Sequence, residues 1–187
     1  MLHLDETLRA RLDAVPRVWN RTALHAAAVL CPIVQRDAED HVLLLVRPTD
    51  MRQHAGQIGF PGGMRSGDED PLACALRECS EEIGVPATAV TIFGGLPARE
   101  SSSGIVVHCI VGRLQPVPVY TDPREVARVL HVPLRELLDN TRWEEKAPPP
   151  TATGQQLRTS PHFLFGTDLL WGLTARFVRD LLDRLRA

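Results

Sequence analysis

Residues 63–85 read Gly63-Met64-Arg65-Ser66-Gly67-Asp68-Glu69-Asp70-Pro71-Leu72-Ala73-Cys74-Ala75-Leu76-Arg77-Glu78-Cys79-Ser80-Glu81-Glu82-Ile83-Gly84-Val85, and this stretch decides the fold. Asp70 is a favourable N-cap. Pro71 takes the first turn, where a missing N–H costs nothing, and Gly84 then Pro86 stop the helix. Leu72, Ala75, Leu76, Cys79 and Ile83 recur at helical spacing as an apolar stripe. Glu78, Glu81 and Glu82 stand at offsets 0, 3 and 4. At about 100° per residue they share one stripe about 100° wide. Like charges so placed repel by roughly a few tenths of a kcal/mol per pair. Glu81 and Glu82 also occupy the last turn, where the helix dipole disfavours anions. Arg77 precedes Glu81 by four, the poorer orientation for an ion pair, and nothing else nearby in sequence compensates. A divalent cation would turn this repulsion into coordination. All-oxygen ligation suits Mg²⁺ or Mn²⁺, whose use beside carboxylates is to neutralise a diphosphate and activate water.

Outward from this helix, the pattern predicts an N-terminal helix over about 5–15, with Leu8, Leu12 and Val15 in register and Pro16 closing it. Residues 26–35 and 42–47 read as strands joined through the polar segment 36–41, a hairpin. Gly56, Gly59, Gly62, Gly63 and Gly67 follow within twelve residues. Residues 90–96 and 105–114 read as strands, 124–129 as a strand end and 134–138 as a short helix. Pro148-Pro149-Pro150 and residues 151–155 mark an exposed loop, and 169–185 a terminal amphipathic helix. With no internal repeat and no linker, residues 1–187 are expected to form one α/β domain, a mixed sheet covered by helices on both faces.

The 187 residues carry 21 Lys+Arg and 23 Asp+Glu, a net charge of −2, with no block of like charge. That balance speaks against a surface for a nucleic-acid polymer, which needs many phosphate-neutralising cations. No apolar run approaches the roughly 20 residues that cross a bilayer. The charged N-terminus is unlike a secretory signal, so a cytoplasmic protein without a membrane partner is expected. Cys31, Cys74, Cys79 and Cys109 lack zinc-site spacing and are expected as buried hydrophobes in a reducing compartment.

Gly63, five residues, Glu69, seven residues, then Arg77-Glu78 and Glu81-Glu82-Ile83-Gly84-Val85 resembles the Nudix box, the 23-residue signature of Nudix hydrolases. Cys79 at a usually aliphatic position is the one irregularity. The resemblance implies the α/β/α Nudix fold, dependence on Mg²⁺ or Mn²⁺, and hydrolysis of a nucleoside diphosphate linked to another group. It places metal ligation on Glu78, Glu82 and the Gly63 carbonyl, and on Glu81 either ligation or deprotonation of the attacking water. Arg77 and Glu69 are expected to pair and support this catalytic set. Glu125 is either a further acid of the site or an exposed strand-end residue.

Met51-Arg52, three residues, Gly56, three residues, then Phe60-Pro61-Gly62-Gly63 resembles the additional motif of the coenzyme A diphosphatases. His54-Ala55-Gly56-Gln57 and Trp171-Gly172-Leu173-Thr174-Ala175 are similar to that subfamily too. Leu45, Pro48 and Met51 depart from it, standing where Thr, a small Ser or Ala, and Leu are usual. The implied substrate is coenzyme A, split to 3′,5′-ADP and 4′-phosphopantetheine. Arg47, Arg52, His54 and Gln57 would meet it, and Phe60 is either substrate wall or core. The remaining readings are a Nudix hydrolase of ADP-ribose, NADH or a nucleoside triphosphate, and a noncatalytic nucleotide sensor. A homodimer would fit the family.

Overall fold

The computed structural model describes residues 2–20, 25–51, 54–147 and 159–187. The expected loop at 148–155 and the Arg52 position lie outside the described residues. Ten strands and four α-helices are found among those described: α1 (Leu2–Arg11), β1 (Ala26–Arg36), β2 (Glu39–Val46), β3 (Ile58–Gly59), β4 (Gly62–Met64) and α2 (Pro71–Ile83). After these come β5 (Val90–Glu100), β6 (Val106–Leu114), β7 (Arg128–Pro133), α3 (Leu134–Leu138), β8 (Trp143–Lys146), β9 (Ser160–Phe165), β10 (Asp168–Leu170) and α4 (Gly172–Arg186).

The main sheet runs β3-β2-β1-β6-β5, with β4 pairing the start of β1 and β7 pairing β2. β1 and β6 are parallel and the other pairs antiparallel, so the sheet is mixed. One face carries Leu30, Leu43 and Ile110 against Cys74, Ala75, Cys79 and Ile83 of α2. The opposite face packs Cys31, Leu44 and Val111 with Leu8 of α1 and Phe177, Val178, Leu181 and Leu182 of α4. Alternate strand residues thus bury on opposite faces, the consequence of the two-residue strand period. This is the layered α/β/α arrangement that the sequence pattern predicts.

The first hairpin is tighter than the expected 36–41 connection. Arg36 faces Glu39, and only Asp37 and Ala38 turn the chain, both at positive φ (50° and 62°). Such a turn matches the right-handed twist of the strands it joins.

The N-terminal helix ends at Arg11 rather than continuing to residue 15. Past that point Asp13 exchanges backbone hydrogen bonds with Gly95 (3.1 and 2.9 Å). Gly94 makes room, since a Cβ there would lie 2.6 Å from the Asp13 carbonyl. Sheet hydrogen bonds take over from the helical ladder.

The expected strand end at 124–129 also shifts. Asp122 accepts the N–H groups of Glu125 and Val126 on its carbonyl and that of Arg124 on its carboxylate, holding 122–126 in a turn. The strand begins at Arg128. At the C-terminus the helix starts at Gly172 rather than 169, because 168–170 pair with β9 across a turn at Gly166 (φ 61°). The small sheet β10-β9-β8 was not expected from sequence.

All four cysteines are buried and unbridged, and burial pushes the Cys79 thiol up to about 12, which leaves it inert. No described helix is long and apolar enough to cross a membrane.

Candidate active site

The helix bearing the glutamates is built as its sequence dictates. Asp70 accepts the Ala73 N–H at 2.8 Å, and Gly84 closes the helix in the left-handed region (φ 69°), donating to the Ser80 carbonyl. The apolar stripe differs in two places: Cys74 joins it where Leu76 is only half-buried, and Glu82 lies within it.

The three carboxylates sit in different environments. Glu82 is nearly sealed, its side chain 4% exposed, whereas that of Glu81 is 56% exposed. Glu82 Oε2 accepts the Gly62 N–H at 2.9 Å, and its Oε1 lies 3.7 Å from the Arg47 guanidinium. Glu78 rests over Gly63 so closely that a Cβ there would come 2.4 Å from its carboxyl carbon. The absent side chain of Gly63 is therefore the space the carboxylate uses.

Local compensation for the clustered charge, which the sequence does not reveal, is supplied by Arg77. Its guanidinium forks onto Glu69 (Nε to Oε2 3.0 Å, Nη2 to Oε1 2.8 Å) and reaches the Met64 carbonyl at 3.2 Å. The fork swings Nη1 over the acids, where it donates to Glu78 at 2.8 Å and Glu81 at 3.0 Å. Anchoring by Glu69 thus overrides the poor helical orientation of the Arg77–Glu81 pair. Glu69 also accepts the Ser66 N–H at 2.7 Å, and the Arg77 hydrogen bonds hold its carboxyl down at about 2.

Strand ends and one loop bring in the rest. Arg47 follows β2 and donates its backbone N–H to the Gln57 carbonyl. His54 and Gln57 occupy the adjoining turn, with Nδ1 and Oε1 2.8 Å apart. The loop 120–127 is strapped to the end of α2, with the Tyr120 N–H on the Ile83 carbonyl and the Asp122 N–H on the Glu82 carbonyl. At its other end the Ala127 N–H bonds the Val46 carbonyl. Burial raises the carboxyl pKa of both Glu78 and Glu82, and the charge of Glu125 on this loop adds to that rise. Glu125 itself is exposed and lies in the turn ahead of β7 rather than at a strand end. Phe60 is 6% exposed within the core on the α1/α4 face, so its ring packs rather than lining an open wall.

Cys74, beyond packing as a buried hydrophobe, points its thiol at the Gly63 and Met64 carbonyls (3.6 and 3.5 Å). A cavity of about 330 Å³ opens at the other end of α2, between Trp19, Arg65 and Asp70, and none of the three glutamates lines it. Among the described residues, no three acidic, imidazole or thiol groups converge tightly enough to enclose a cation, the glutamates being turned toward Arg77 and Arg47. The acids Glu78, Glu81 and Glu82 on one stripe of α2 nonetheless offer an all-oxygen donor set, the chemistry that suits a hard divalent cation.

Burial pushes the Glu82 carboxyl from 4.5 up to about 7, against the pull of the Gly62 N–H and Arg47. The folded protein then keeps a proton there between about pH 4.5 and 7, where the unfolded chain has released it. In the absence of metal, this group makes the fold less stable as pH rises through that window. His108 and His131, whose pKa burial lowers, contribute with the opposite sign, so the informative quantity is a difference between proteins. In EDTA, wild type should lose Tm relative to Glu82→Gln on going from about pH 5 to about pH 8. A difference that stays constant across that range would contradict a buried, proton-binding Glu82.

The NUDIX domain profile matches residues 24–152. The chain belongs to the Nudix hydrolase family. It is 36% identical over 162 residues to the protein named "Uncharacterized Nudix hydrolase NudL" of Photorhabdus laumondii, covering 86% of this chain and 84% of that one. Against the protein of the same name from Yersinia pestis it is 37% identical over 161 residues, covering 85% and 79%. The fold is also that of the Nudix domain of Shewanella oneidensis NrtR, solved with ADP ribose (TM-score 0.56, 17% identity, 89% and 94% coverage).

Proposed function

We propose that this Nudix hydrolase is a Mg²⁺- or Mn²⁺-dependent diphosphatase of coenzyme A, yielding 3′,5′-ADP and 4′-phosphopantetheine. The observation that carries the hydrolytic reading is the stripe of Glu78, Glu81 and Glu82 on α2, with Glu78 over Gly63, Glu82 on the Gly62 N–H, and Arg77 and Arg47 beside the acids. Glu78, Glu82 and the Gly63 carbonyl would hold the cation. Bound there, the cation neutralises the diphosphate and lowers the pKa of water. Glu81, the most exposed of the trio, takes the proton of the water that attacks phosphorus as the bridging P–O bond breaks. Arg77 keeps Glu78 and Glu81 in place, itself held by Glu69. Glu125, whose charge is felt by Glu78 and Glu82, would add a fourth negative charge to the site.

The choice of coenzyme A is supported by the run from Met51 to Gly63 and by Trp171-Gly172-Leu173. Arg47, Arg52, His54 and Gln57 are the groups proposed to receive its phosphates; the described ones stand together at the end of β2. The test is hydrolysis of coenzyme A, ADP-ribose, NADH and 8-oxo-dGTP, each with Mg²⁺, with Mn²⁺ and with EDTA. Coenzyme A should be turned over fastest, releasing 3′,5′-ADP only with the cation. Preference for another of the four overturns the substrate, and hydrolysis of none overturns the enzyme reading.

A further inference from the structure

Each glutamate of the trio has an arginine beside it, but the two arginines are held very differently. Arg77 is locked, with a two-pronged fork on Glu69 and a third bond to the Met64 carbonyl, so it cannot leave Glu78 and Glu81 without breaking those bonds. Arg47 is loose. One of its nitrogens lies 3.7 Å from Glu82 Oε1, beyond hydrogen-bond length, and among the described residues its guanidinium has no carboxylate fork. It is also 31% exposed, at the end of β2, while the carboxylate it faces is sealed from water.

Oε2 of Glu82 accepts the Gly62 N–H, whereas Oε1, which faces Arg47 at 3.7 Å, accepts no hydrogen bond from it and is the freer of the two to meet a cation. A buried carboxylate needs a positive partner, but a guanidinium and a divalent ion on one oxygen would repel each other strongly at such range. We infer that Arg47 is the counter-ion that Glu82 exchanges for the metal, so that metal entry releases the guanidinium to the substrate's diphosphate. This rests on the reading of Glu82 as a metal ligand. Before the exchange Arg47 neutralises Glu82; afterwards its two-pronged donor geometry suits the phosphate oxygens of the incoming nucleotide. Metal and diphosphate then favour each other through a single side chain that serves one at a time.

The consequence is a pair of effects with opposite signs. Mn²⁺ binding to the full-length protein without substrate is measured by electron paramagnetic resonance for wild type, Arg47→Met, Arg47→Lys and Arg124→Ala. Arg124→Ala controls for loss of one positive charge near Glu125 without touching Glu82. Arg47→Met should bind Mn²⁺ roughly fivefold or more tightly than wild type, yet show a raised KM for the diphosphate that wild type hydrolyses. Arg47→Lys should return Mn²⁺ affinity most of the way to wild type, and Arg124→Ala should change it little. A residue that merely shapes the site would weaken both metal and substrate; one that only touches substrate would leave the metal alone. Unchanged or weaker Mn²⁺ binding in Arg47→Met, or an equal gain in Arg124→Ala, overturns the exchange while leaving the metal site standing. Absence of Mn²⁺ binding by wild type overturns the metal-site reading and the exchange together.

Discussion

Glu82→Gln is expected to lower metal-dependent hydrolysis by about a thousandfold or more, while making the metal-free protein more stable at about pH 8. The two effects have one cause. Glu82 is a carboxylate buried in the apolar stripe of α2, with a carboxyl pKa pushed up to about 7 by that burial. The amide of Gln keeps an oxygen to accept the Gly62 N–H but carries no charge to desolvate or to bind a cation. Activity and the thermal midpoint in EDTA should therefore move in opposite directions. Glu81→Gln separates the roles. Its side chain is 56% exposed, so stability should change little and Mn²⁺ affinity only modestly, whereas turnover should fall by roughly 10²- to 10⁴-fold if Glu81 takes the proton. Preserved turnover in Glu81→Gln would remove it from that role.

Gly63→Ala is the second large effect, and its neighbour supplies the contrast. A methyl on Gly63 would collide with the movable carboxyl end of Glu78, 2.4 Å away. The side chain can swing aside, so stability should change by no more than about 1 kcal/mol, but Glu78 then leaves its place and activity should fall by about a hundredfold or more. At Gly62 the obstacles are fixed: the Ala28 carbonyl at 2.5 Å and the Val29 Cα at 2.6 Å, with φ at 156°. Gly62→Ala should cost about 3 kcal/mol or more of folding stability, because backbone of a central strand would have to move. Chemical denaturation and steady-state kinetics on the two variants test the pair. Equal stability losses at both positions would contradict the placement of Glu78 over Gly63.

Legibility followed the range of the forces involved. The helix over 71–83 could be read residue by residue, because its cap at Asp70, its first-turn proline and its Gly84 stop all act within a few positions of themselves. Helical periodicity runs past the true helix ends at residues 12–15 and 169–171, where a strand edge offers hydrogen bonds that no local pattern announces. The small sheet escaped notice because β8 and β10 are only four and three residues long, too short to establish a period. Phe60 could not be assigned from sequence, since core and substrate wall ask for the same aromatic residue; burial against the α1/α4 core answers for packing.

By itself the sequence determined that three glutamates share one stripe at the closing end of a capped helix behind a glycine-rich approach, since the helical repeat places residues 0, 3 and 4 together in any surroundings. Only the tertiary structure decided how those glutamates differ. Sheet register sets Gly62 and Gly63 beneath Glu82 and Glu78, the end of β2 lends Arg47, the fork on Glu69 turns Arg77 over the acids, and the strap from Tyr120 to Ala127 delivers Glu125. Burial and charge at one carboxylate depend on groups far away along the chain, and those distances close only when the sheet and α2 pack together.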